Sequence, residues 1–149
     1  MARILYRGFY HKGNYFMKKT IIRECVRISI DLYQKNYDEY HGSKFRHFSF
    51  IISRNKIIEY GMNRHRNLGD MQRLGYHGFS NEHSEFAAWR KAKGLIRDGS
   101  FEIINTRINK ELQLMNSHPC PCCLNFLRDL NCTGIFYSNE LGGFSKIVL

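Results

Sequence analysis

A chain of 149 residues is sized for one domain, and with 43% apolar and 14% aromatic residues it can bury a sizeable core. Its 23 Lys and Arg against 13 Asp and Glu give a net charge of +10, which favours anionic partners and equally suits a solvated basic surface. No run of 18 apolar residues occurs, so no membrane-spanning helix and no membrane partner are expected. Five Cys is an odd count, and three of them sit at Cys120, Cys122 and Cys123. That is the usage of a metal site, not of a disulfide framework, and it predicts a reducing, cytoplasmic setting. Arg3, Arg7, Lys12, Lys18, Lys19 and Arg23 precede the first acid, but the stretch lacks both an apolar core and Ser, so neither a secretory leader nor a transit peptide is expected.

Residues 1–19 read as a basic aromatic arm, in which Tyr6, Phe9, Tyr10, Tyr15 and Phe16 are interrupted by Gly8 and Gly13; residues 20–149 read as the single folded domain. Aromatics among Lys and Arg suit stacking on bases, and also suit packing over a core edge or a neighbouring subunit. A helix is expected over 20–34, capped by Thr20, with Ile21, Cys25, Ile28 and Leu32 on one stripe and Ile22, Val26 and Tyr33 widening it. Strands follow at 45–53 and 56–62, joined as a hairpin by Arg54-Asn55. Gly61 is read as the point where the chain breaks away before Asn63. A loop over 64–81 carries Arg64, His65, Arg66, Arg73 and His77 against Asp70 alone, the composition of a loop that serves a substrate. Ser80 or Asn81 is expected to cap a second helix running to about residue 95, buried through Phe86, Trp89 and Ala92. A third strand at 101–108 leads through a turn or short ribbon at 109–116 to a third helix beginning near Cys122. Strands at 134–138 and 144–149 end the chain. Their connection is too short for a parallel crossover, which takes a dozen or more residues, so the last strand must return as an antiparallel hairpin.

Two short motifs open the second and third helices. His83-Ser84-Glu85 and Pro119-Cys120-Pro121-Cys122-Cys123 together read H-x-E … P-C-x-x-C. One imidazole and two thiolates fill three positions of a tetrahedral zinc and leave the fourth for water. Zinc lowers the pKa of that water to about 7, and a carboxylate two residues from a ligand can face it without binding the metal. A redox pair or half of a structural zinc site also uses C-x-x-C, but neither explains His-x-Glu at a helix start. Cys122 offers a C-x-C alternative to the Cys120/Cys123 pairing.

The two-part pattern is the signature of zinc-dependent nucleobase deaminases. From about residue 44 to 149 the chain resembles the cytidine deaminase superfamily. The resemblance implies an α/β, three-layer α-β-α fold on a five-stranded mixed sheet, with zinc held by His83, Cys120 and Cys123 and with Glu85 as proton shuttle. Gly61-Met62-Asn63 resembles the family's G-x-N, which implies a sugar contact from Asn63. Ser84 stands where Ala is usual, and its backbone amide is implied to contact the base. The C-terminal hairpin is similar to that of the free cytidine deaminase branch, which implies a homo-oligomer and a small nucleoside or nucleotide substrate. Phe45, His47 and Phe48 are candidates to stack on the pyrimidine. Two other readings stand beside this one: a deaminase of single-stranded DNA or RNA, favoured by the charge, and a catalytically silent zinc module, disfavoured by the presence of Glu85.

Overall fold

The computed structural model describes residues 15–36, 45–64, 73, 82–96 and 99–149. Most of the expected arm and, apart from Arg64 and Arg73, the basic loop lie outside these. Eight elements follow in the order α1 (Tyr15–Lys35), β1 (Phe45–Ser53), β2 (Lys56–Met62), α2 (Ser84–Ala92), β3 (Phe101–Asn109), α3 (Pro121–Asp129), β4 (Cys132–Ser138) and β5 (Phe144–Val148). The strands form one mixed sheet in the order β2-β1-β3-β4-β5. β3 and β4 are parallel, bridged by α3, and β5 returns antiparallel on β4. No described helix is long and apolar enough to cross a membrane.

Helix α1 starts five residues before the expected Thr20. Nothing in its first turns breaks a helix, and Lys18 ties them down by pairing with Glu102 while its Nζ lies 5.1 Å from the Phe136 ring centroid. The buried stripe is also rotated from the expected one. Ile22, Cys25, Val26, Ser29 and Tyr33 are buried, while Ile21, Ile28 and Leu32 lie at the margin. Ser29 hides this periodicity because a polar residue sits at the stripe's centre. Its hydroxyl meets Thr106 Oγ1 at 2.6 Å and donates to the Cys25 carbonyl at 2.7 Å. The β1–β2 turn falls at Arg54-Asn55, with both residues left-handed (φ 50° and 59°), the conformation whose twist suits a tight hairpin.

Alternation divides the sheet between two cores. Phe48, Phe50, Ile52, Ile104, Ile108 and Phe136 face α1, whereas Ile51, Ile103 and Ile135 face α2 and α3. On the α2/α3 face, the next rung toward the helix N-termini is Gly61, Ser49, Asn105 and Tyr137, one residue per strand. Beyond it stand His47 and its cross-strand partner Arg107, with Asn63 joined to His47 by backbone. Apolar residues thus fill one end of this face, and polar ones the end where α2 and α3 begin.

Candidate active site

Each part of the site follows from this rung. Gly61 admits α2. A Cβ placed there would meet Ala88 N at 2.2 Å, Ser84 O at 2.6 Å and Ala87 C at 2.7 Å, all backbone atoms. Gly61 is a strand residue paired with Ser49, so its role is to seat a helix, not to break the chain as the sequence suggested. Helix α2 begins at Ser84, three or four residues after the expected Asn81 or Ser80 caps. The chain is still extended at Glu82, which exchanges backbone hydrogen bonds with Arg64 at 2.9 and 3.1 Å. His83 occupies the N-cap with extended backbone (φ −77°, ψ 153°) but makes no side-chain cap. Its imidazole turns instead to the sulfurs of α3.

Helix α3 presents those sulfurs from its first turn. Cys120 is its N-cap, Pro121 its first residue, and Cys120 Sγ accepts from the Cys123 backbone N–H at 3.4 Å. The approach to Cys120 is clamped by two buried serines. Ser117 Oγ donates to the Asn105 carbonyl at 2.9 Å and accepts from Ser138 N–H at 2.9 Å, and Ser138 Oγ donates to the Met115 carbonyl at 2.6 Å.

His83 Nδ1 stands 3.6 Å from Cys120 Sγ and 3.4 Å from Cys123 Sγ, and the three ligand atoms lie within 4.8 Å of one another. Cys122, half-buried, is outside this cluster. Cys120 is pulled down to about 4 chiefly by the hydrogen bond from the Cys123 thiol, against the cost of burial and with help from His83. Cys123 is pushed up by that same bond and by burial. The bond to Cys120 raises His83. One imidazole and two sulfurs converging at two helix N-termini fit a zinc ion with an open fourth position.

Glu85, 6% exposed, shares a cavity of about 240 Å³ with His83, Cys120 and Ser84. Asn63 lines it too, with its Oδ1 accepting from His47 N–H at 3.0 Å, so its NH2 is the end left to face a ligand. Of the three stacking candidates, His47 lines the cavity, Phe48 is fully buried in the α1 core and cannot stack on a ligand, and the Phe45 side chain is outside the description. Burial, then the neighbouring Arg107, pushes His47 down to about 4, so the cavity meets a neutral imidazole at pH 7.

Four residues at the site escape the sequence motifs. His118 lines the cavity, its ring edge-on to Tyr137 at 4.9 Å between centroids. Glu82, 2% exposed, accepts from Arg90 at 2.9 Å through Oε1, while its Oε2 has no hydrogen-bond partner among the described residues. Ser49 and Asn105 lie beneath Ser84 and Glu85. A polar residue inside an otherwise apolar alternating strand was the available sign for this last pair.

No protein-family model and no curated protein matches the sequence. Solved structures do match the fold. A cytidine deaminase from Burkholderia pseudomallei superposes with a TM-score of 0.56 at 15% identity, over 85% of this chain and 91% of that one. A dCMP deaminase from the cyanophage S-TIM5, in complex with dCMP and dUMP, gives 0.54 at 16% identity over 87% and 85%. The cytidine deaminase of Mycobacterium leprae gives 0.51 at 12% identity over 91% and 94%. The chain therefore has the cytidine deaminase fold.

Proposed function

We propose that this chain is a zinc-dependent hydrolytic deaminase that converts cytosine to uracil, with release of ammonia, in a cytidine-type nucleoside or nucleotide. The observation that carries the reading is the meeting of His83, Cys120 and Cys123 within 4.8 Å at the wall of a cavity that Glu85 also lines. His83 Nδ1 and the sulfurs of Cys120 and Cys123 would hold the ion, which when bound supplies a hydroxide nucleophile at neutral pH. Glu85 carries protons: its carboxylate takes one from the water that adds and hands it to the ring nitrogen, then takes the proton of the new hydroxyl and hands it to the amine, which leaves as ammonia as the carbonyl forms. The Ser84 backbone N–H holds the base, and the Asn63 NH2 holds the sugar. A cavity of about 240 Å³ suits a single nucleoside, and the neutral His47 beside it adds no charge to grip a phosphate.

The purified protein should contain one zinc per chain by elemental analysis, and should shift the mass of cytidine, deoxycytidine or deoxycytidylate by the exchange of NH2 for OH while releasing ammonia. Absence of zinc, or of product from every cytosine compound, defeats the reading.

The net charge of +10 favours a second substrate class, cytosine in single-stranded DNA or RNA. Salt separates the two. Each phosphate neutralised on a single strand contributes a slope of about −0.7 in log affinity against log salt. Five such contacts cost more than about a hundredfold in affinity between roughly 0.05 and 0.3 M salt. A nucleoside enzyme keeps its KM over that range, and a mononucleotide enzyme responds by about one contact. The expected result is the weak response, with uracil formed in the small substrate. Steeply salt-dependent binding of cytosine-containing strands, with uracil formed in them, transfers the proposal to the polymer.

A further inference from the structure

We infer that Asn105, supported by Ser49, is a positioning residue that fixes the Glu85 carboxylate; the inference rests on the deaminase reading above. The two residues are cross-strand partners on β3 and β1, 2% and 0% exposed. Asn105 Nδ2 donates to Glu85 Oε1 at 2.8 Å, and Ser49 Oγ donates to Asn105 Oδ1 at 2.7 Å. Ser49 Oγ also meets Ser84 Oγ at 2.7 Å, and Ser84 Oγ stands 3.3 Å from Glu85 Oε2.

Proton counting fixes the direction of this chain. A carbonyl oxygen only accepts, so Ser49 gives its single proton to Asn105. The Ser84 hydroxyl must then donate to Ser49 and has no second proton to give. The bonds run Ser84 to Ser49 to Asn105 to Glu85. The acceptor-only carboxylate decides which way round the Asn105 amide sits, with the NH2 end toward it, and Ser49 supports that orientation by donating to the amide oxygen. Reversed, the amide would set an oxygen against an oxygen and leave two buried acceptors unsatisfied, each a costly arrangement. With Oε1 engaged by the amide at 2.8 Å, Oε2, whose contact with Ser84 Oγ is the longer at 3.3 Å, is assigned the exchange of protons with substrate.

Packing alone does not require these residues. One rung away on the same face, Ile51 and Ile103 fill the equivalent positions with apolar bulk. Polar groups replace them beneath Ser84 and Glu85. The same chain explains why a Ser at 84 is accommodated on a buried helix face, since its hydroxyl has a partner in Ser49. A Glu side chain has three rotatable bonds, and one fixed rotamer spares the reaction the entropy of finding it.

The test compares zinc-loaded wild type with Asn105→Leu, which keeps similar bulk without a donor, and Asn105→Asp, which sets a carboxylate against Glu85. Loss of a group that orients a site residue from behind commonly costs 10–100-fold in activity, so kcat should fall by about that factor while KM and zinc content hold. Ser49→Ala should show a smaller loss with the same split. Unchanged kcat in Asn105→Asp, or loss of zinc in step with activity, overturns the inference. An NMR measurement decides independently of turnover and of whether these variants fold. The Asn105 side-chain amide of wild type should exchange slowly with solvent, and its resonances should move in Glu85→Gln. A fast-exchanging amide indifferent to Glu85→Gln overturns the inference. Failure of zinc-loaded wild type to deaminate any cytosine compound would defeat the functional reading alone, leaving the amide resonance to decide on Asn105.

Discussion

Glu85→Ala is expected to abolish detectable turnover while zinc, fold and substrate binding persist. Removing a general acid–base group alone costs about 10²–10⁴ in rate, and here one carboxylate serves several proton transfers, so the loss should lie at or beyond the upper end of that range. The geometry makes the prediction specific. Glu85 lines the cavity beside the ligand cluster but is not a member of it, so its removal takes no donor from the metal. Steady-state kinetics on zinc-loaded protein, with elemental analysis beside it, read the two effects separately. A variant keeping more than about a tenth of the wild-type rate, a loss under about 1.4 kcal/mol, would show that Glu85 is not the shuttle.

Gly61→Ala should be the most damaging change of a single methyl group. Its new Cβ would stand 2.2 Å from the Ala88 backbone nitrogen and 2.6 Å from the Ser84 carbonyl oxygen, and neither can swing aside as a side chain would. Helix α2 must lift from β2, carrying His83 and Glu85 away from α3. Overpacking of this kind costs about 1–3 kcal/mol, occasionally more, and backbone on the far side argues for the upper end. For a chain of this size that is a fall in Tm of about 6–12 °C. Thermal denaturation checks it against Gly94→Ala, where a Cβ meets nothing within 4 Å. Equal melting temperatures for the two variants would mean that α2 does not rest on Gly61.

The strands and the two hairpins were legible because their cues are local. The Arg54-Asn55 turn and the short β4–β5 connection each left one arrangement open. The two halves of the metal cluster were legible as well, since helix starts bearing His-x-Glu and Cys-x-x-Cys carry their chemistry in spacing. What stayed hidden depends on contacts between segments distant in sequence. Thr20 looked like a cap because nothing in the sequence tells that Lys18 will meet Glu102. Ser80 and Asn81 looked like caps because the pairing of Glu82 with Arg64, which delays α2, joins residues far apart in sequence. Phe48 looked available for stacking, and only the choice of face for β1 sends it into the α1 core while His47 goes to the cavity. Gly61 resembled a breaking point, although its function is fixed by a helix that arrives later in the chain.

The alternation of β1 and β3 has a practical consequence for altering this protein. Even-numbered positions such as Phe48, Phe50, Ile104 and Ile108 belong to the α1 core, and odd-numbered positions belong to the α2/α3 face, apolar at Ile51 and Ile103, polar at Ser49 and Asn105, and reaching the cavity wall at His47. Parity therefore sets the face, and distance along the strand sets whether a position on the α2/α3 face governs folding or what the chain accepts. A directed-evolution library confined to the odd positions at the end where α2 and α3 begin searches new specificities on an intact scaffold, whereas one that extends to Ile51, Ile103 or the even positions spends most of its members on chains that never reach the native state.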